Sequence, residues 1–346
     1  MPRTVPLLVL LLTQGLVLPA AAEAPDDAAL RKEALGLFEP IPPKPEPVPD
    51  PARVELGRAL FFEPRLSEGH NISCNTCHNL GTGGADLASV SLGHRWQKGG
   101  RNSPTVLNAV YNTAQFWDGR AANLAEQAGG PMQNPVEMAS NPDHVTEMLS
   151  GIHGYAPLFA RAFPGEADPV SFANATAAIA AFEETLITPD APFDRWLRGD
   201  DTALGEKEKQ GLQLFISEGC ASCHNGRNIG GNGYQPFGLV ETPDAAVRPP
   251  DDKGRFAVTK TASDEYTFRV APLRNVALTP PYFHSGAVWD LRTAVQVMAT
   301  AQLGANVNEA QVDEMVAFLV SLTGEAPTVV YPVLPPSTAD TPRPKP

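Results

Sequence analysis

The chain has 346 residues, 42% of them hydrophobic, and a formal charge of -13. That allows two domains with packed cores and argues against nucleic acid as a partner. Four cysteines are too few for a disulfide scaffold of this length.

Residues 1–22 read as a leader for export, with Arg3, an apolar run from Leu7 to Leu12 and small residues at Ala20–Ala22. The mature start falls near Glu23. No later segment is long and apolar enough to cross a bilayer, so the product is expected to be soluble, without membrane insertion. Residues 40–51, PIPPKPEPVPDP, exclude helix and central strand. Next comes SCNTCH, with Cys74, Cys77 and His78. The long Gly/Asn-containing loop 79–104 follows and holds His94 in SLGHRWQKGG.

Asp168-Pro169 predicts an N-cap and first helical position, opening an alanine-rich helix to about Thr188. A further helix is expected over Leu204–Ser217. It leads into GCASCH, with Cys220, Cys223 and His224, and then into loop 225–250. Helix is also expected over Asp290–Gln302. Asn308 with Gln311 predicts a capping box, and Val312, Met315, Val316 and Leu319 one apolar face. The tail 327–346 is proline-rich and is expected to be extended. Strand signals are scarce. The expected fold is mainly α: two domains over 23–188 and 189–326, joined near residues 188–193, with the leader before them and the tail after.

All four cysteines are spent on two Cys-x-x-Cys-His runs. Zinc needs four ligands, usually from two half-sites, and these runs lie far apart with local helices of their own. A thioredoxin-like dithiol sits in a strand-helix context that is missing here and needs no histidine after it. Covalent c-type haem fits every feature. Two thiols add to the porphyrin vinyl groups, and the adjacent histidine, His78 or His224, lies under the iron. Export, which such attachment requires, agrees with the leader. On spacing alone His94 is a loop histidine and Met298 a core residue. His70, His144 and His153 read as surface residues, Trp117 as core and Glu137 as a solvated carboxylate.

Over nearly the whole mature chain the sequence resembles the bacterial di-haem cytochrome c peroxidases. The resemblance is carried by SCNTCHNLGTGGAD, SLGHRWQKGGRNSPTVLNAVYN, QFWDGRA, EQAGGPMQNPVEM, GCASCHNG, DKGRFAVTKTASDEYTFRVAPLRNVALTPPYFHSG and VMATAQLG. It implies two cytochrome c-like domains, each with one c-type haem. It implies a low-potential peroxidatic haem on Cys74 and Cys77, with His78 proximal and His94 as a detachable distal ligand. The high-potential haem on Cys220 and Cys223 then has His224 and Met298 as axial ligands. Trp117 matches a tryptophan between the haems. Gln127 and Glu137 match polar residues of the peroxide pocket, and His284 matches a histidine near the haems with its role open. A calcium ion is implied at Asn102 with the backbone carbonyls of Thr279 and Pro281. The implied activity is reduction of hydrogen peroxide in the periplasm by a homodimer, with electrons from a cytochrome c or a cupredoxin. A related di-haem group that oxidises tryptophans of a partner protein carries tyrosine where this chain has Met298.

Overall fold

The computed structural model describes Met1 and residues 26–345. Apart from Met1, the expected leader lies outside them. The described chain is mainly helical with little strand. Its two-stranded ribbon pairs Tyr234–Pro236 antiparallel with Thr267–Arg269, with Gln235 opposite Phe268. Among the described residues no helix is long and apolar enough to cross a membrane.

Each half is built on one close helix crossing. In the first, Pro51–Phe61 opens with Asp50 accepting from Ala52 N and Arg53 N, and buries Leu56, Leu60 and Phe61. It packs on Phe172–Glu183. A Cβ on Gly57 would stand 1.8 Å from Ala178 O, so only glycine fits that crossing. In the second, Glu206–Ser217 packs on Glu309–Val320. There a Cβ on Gly211 would stand 1.9 Å from Glu314 O. Phe182 Cβ and Phe318 Cβ lie against the two glycines in the same way. The repeat legible in the cysteine motifs therefore extends to the helices that carry them.

Two helix starts show how local chemistry decides. The Asn308–Gln311 box forms as expected: Gln311 N donates to Asn308 Oδ1 at 3.1 Å, and Asn308 N to Gln311 Oε1 at 2.9 Å. The start expected at Asp168-Pro169 does not form. Ser171 is the cap, accepting from Asn174 N, and Pro169 O accepts from Asn174 Nδ2 at 2.9 Å. A hydroxyl three residues before a free amide is the better placed cap.

The first core gathers Leu56, Phe61, Met148, Phe159, Ile179 and Phe182. The second gathers Phe38, Phe193, Trp196, Leu212, Phe215 and Phe318. A smaller cluster of Phe237, Phe268, Tyr282 and Val288 lies beside the second. Packing does not follow chain order. Helix Asp27–Leu35 and the residues after it place Leu30, Ala34 and Phe38 in the second core, not in the half expected for residues 23–188. The apolar side chains decide this, because that core is where they find partners. Conversely, the tail crosses back over the first half without helix or strand. Val329 and Leu334 pack on its core, and the Tyr331 ring lies 4.6 Å from that of Phe62.

Candidate active site

Cys74–Cys77 forms one helical turn. Ser73 and Thr76 cap it reciprocally, and His78 follows with its backbone N–H on Cys74 O. The His78 imidazole is partly buried and its Nδ1 lies 3.0 Å from Pro104 O. With that nitrogen as donor, Nε2 keeps its lone pair. Burial holds the ring pKa down, which keeps it neutral.

These residues open on a cleft of about 490 Å³, within the roughly 300–1,000 Å³ of cofactor and small-molecule sites. Cys74, Cys77, His78, Asn102, Trp117, Gln127 and Glu137 all line it. The loop that was expected to bring His94 lines it through Gly93; His94 itself is not among the lining residues. Its buried imidazole points Nε2 at Glu68 Oε2, 3.4 Å away.

Glu137 lies just past the C-terminal end of helix Leu124–Gln133. Its carboxyl accepts from Asn134 Nδ2 at 2.7 Å. Burial pushes its pKa up, while Asn134 and Arg120 draw it down. Trp117 joins the two halves: it lines the cleft and also packs on the cluster that carries Met298. Its Nε1 donates to Asn102 O at 2.8 Å, and its carbonyl accepts from Arg269 N at 2.7 Å. His284 is buried, stacked on Phe268 at 4.1 Å and edge-on to Trp117 at 6.2 Å. Burial brings its pKa down to about 4. Asn102 N donates to His284 O, and Gly83 lies against Thr279. Asn102 therefore meets the segment that holds Thr279 and Pro281.

The second motif is enclosed differently. His224 is buried beside Phe215, and its pKa falls to about 4 through burial. Its Nδ1 is buried and faces the backbone of Ile229 and Ala271 without a well-directed hydrogen bond. Cys220 packs on the second core and Met298 on the adjoining cluster, with Val276 and Leu291 bordering both. Met298 ends helix Leu291–Met298, where the wide turn Ala299–Leu303 begins.

The donor set fits two covalently held haems. All four cysteines are free, burial pushes the Cys77 and Cys220 thiols up to about 11, and each pair is followed by an imidazole whose pKa burial lowers. Sequence reasoning missed Glu183, a buried carboxyl that lines the cleft and whose pKa burial pushes up to about 8. Its position four residues after Ile179, on the buried face of an apolar helix, was the available signal. It also missed Glu68, whose proximity to His94 nothing local announces.

Residues 51–202 match the family model for di-haem cytochrome c peroxidase. The chain is 57% identical to cytochrome c551 peroxidase of Pseudomonas aeruginosa, covering 95% of this chain and 96% of the relative. It is 46% identical to cytochrome c551 peroxidase of Nitrosomonas europaea, covering 89% and 91%. A solved MauG-like protein associated with microbial copper homeostasis superposes with a TM-score of 0.72 at 27% identity, over 83% of this chain and 94% of that one. The chain belongs to the di-haem cytochrome c peroxidase family and is a cytochrome-c peroxidase.

Proposed function

We propose that the protein works in the periplasm, reducing hydrogen peroxide to two waters with two protons and two electrons from a small reduced cytochrome c or a cupredoxin. Cys74, Cys77 and His78 would hold one haem, and Cys220, Cys223, His224 and Met298 a second. When bound, the haems supply iron that takes electrons one at a time and supports O–O cleavage. A histidine–methionine pair favours the higher potential, so donor electrons enter on the Met298 side. His94 would supply a removable ligand to the first haem, and its departure would leave room for peroxide.

The single observation that carries this reading is the shared cleft: Cys74, Cys77 and His78 line it together with Gln127, Glu137 and Trp117. Glu137 moves the proton from one peroxide oxygen to the other, which then departs as water. Asn134 keeps the Glu137 carboxyl in place for that transfer. Gln127 offers an amide that orients the peroxide. Trp117 provides the packed bridge between the two sides. Asn102 with the carbonyls of Thr279 and Pro281 would hold a calcium ion at that junction, and the enzyme works as a homodimer.

The test is steady-state peroxide consumption with reduced cytochrome c, paired with rapid mixing of oxidised and one-electron-reduced protein with peroxide. Peroxide reacting fast only after one-electron reduction supports His94 as the ligand that must leave. Equal rates in both states rule out that gating.

A further inference from the structure

Glu68 stands where three loops and the end of the chain meet. Its N–H donates to Met138 O at 2.9 Å, next to the cleft acid Glu137. Its carbonyl accepts from Lys345 N at 2.9 Å. Its carboxylate faces the buried His94 ring, Oε2 to Nε2 at 3.4 Å. His94 N in turn donates to Glu137 O at 2.7 Å. The two segments touch so closely that a Cβ on Gly93 would stand 2.0 Å from Val136 O.

The tail is fitted to this corner. Arg65, held on Glu63 through Nε at 2.6 Å, donates to Pro335 O at 2.7 Å and Ser337 Oγ at 2.9 Å. The Thr338 and Thr341 hydroxyls donate to Gly151 O at 2.6 and 3.1 Å. A Cβ on Gly151 would stand 2.5 Å from Asp340 O, and one on Gly154 2.6 Å from Pro335 Cβ. Two glycines therefore make room for the strap, and its last residues reach the backbone of Glu68.

We propose that Glu68 is a positioning residue for His94: its carboxylate holds the imidazole out of the cleft, and the C-terminal strap holds Glu68 in place. This rests on the reading of His94 as the removable ligand. One ring nitrogen cannot serve both partners, because the atom that donates a proton to Glu68 has no lone pair for iron. A buried imidazole nitrogen also needs some partner, so the strength of the Glu68 contact sets how often the ring returns. The strap adds a second lever, because the segment 63–68 cannot shift while Lys345, Pro335 and Ser337 are docked on it.

The test uses the haem-loaded full chain. Cyanide association with the one-electron-reduced protein is followed together with the high-spin fraction of its visible spectrum. Glu68→Ala removes the carboxylate that faces the His94 ring, so it should slow cyanide association about tenfold and raise the low-spin fraction. Glu68→Gln keeps an acceptor oxygen and should recover most of the rate. Removal of residues 329–346 should slow it about threefold, through a population shift of the same kind. Gly154→Val, which wedges Pro335 off its seat, should act in the same direction on the intact chain. In a His94→Gly background none of these changes should alter the rate.

An unchanged rate and spectrum in Glu68→Ala overturns the role of Glu68. A Glu68→Ala effect that persists without His94 overturns it too, as does a strap effect with no Glu68→Ala effect. The underlying reading is tested separately on the oxidised protein. There His94→Gly should bind cyanide without prior reduction, and if it behaves as wild type does, His94 is not the ligand and the latch falls with it.

Discussion

Around Cys74 and Cys77 the chain leaves a cleft of about 490 Å³ and furnishes it with Gln127, Glu137 and Glu183. Around Cys220 and Cys223 it packs Phe215, Ala221 and Ile229 from one cluster, with Met298 on the next. The same motif, borne on the same kind of glycine crossing, stands in two different settings because the loops beyond it differ. In the first half, loops 91–104 and 134–138 bring polar atoms to the opening. In the second, Phe215 lies beside His224 and Cys220 packs on the apolar core. Space with a buried acid suits a site where a small molecule is broken. Enclosure by apolar groups suits a site that only passes electrons, where a water-free setting limits reorganisation.

The contrast can be broken at its packed side first. Phe193 is buried between Phe38 and Phe318, with ring centroids at 5.5 and 5.2 Å. Phe193→Ala should cost about 3–5 kcal/mol. Urea unfolding measured against wild type gives the answer, and a loss below 1 kcal/mol, roughly that of a surface change, would mean that this core repacks. On the open side, Glu137→Gln keeps size and loses proton transfer, so turnover should fall by roughly 10²-fold. Cyanide binding to the open site should survive. Near-normal steady-state peroxide consumption would make Glu137 a bystander.

Met298→His exchanges the thioether for an imidazole. The high-potential step of a redox titration should drop by about a tenth or more of the roughly 0.8 V that axial ligands span. A step that stays put would return Met298 to the core. The gentlest test concerns Glu183. Its pKa in the folded chain is about 8 against an ordinary 4.5, through burial first and Glu184 second. Between those values the folded chain holds a proton that the unfolded chain has lost. The stabilisation from that proton is complete below about pH 4.5 and disappears as pH rises through about 8. Stability should therefore fall by at most about 1.4 kcal/mol per pH unit over that window. Glu183→Gln should flatten the slope, and parallel urea midpoints for both proteins at pH 5 and pH 8 would remove the buried proton from the account.

What could be read from the sequence was what short stretches decide. Asn308 with Gln311 caps its helix by contacts within four residues, and the two Cys-x-x-Cys-His runs declare their chemistry without the fold. Most of the resemblance-based site, from Asn102 through Glu137, does meet in one cleft. Asp168 failed as a cap because Ser171, equally polar, stood closer to the free amides. Contacts between distant segments were illegible for a different reason. Nothing near Leu30 says that it packs with Trp196, and nothing near Lys345 says that it meets Glu68. His94 marks the boundary: its loop was legible, whereas the carboxylate it rests on was not.

A chain cut between Thr188 and Phe193 would yield two fragments, each lacking a piece of its own interior. The later fragment would be without Leu30, Ala34 and Phe38, and the earlier without the cover supplied by Val329, Tyr331 and Leu334. Synthesis runs in one direction, so helix Asp27–Leu35 emerges long before the residues it must pack on, and the stretch with Val329, Tyr331 and Leu334 covers a core begun far earlier in the chain. Neither half is finished until the whole chain is present. The two ends act as mutual staples, and the two halves should melt in a single transition.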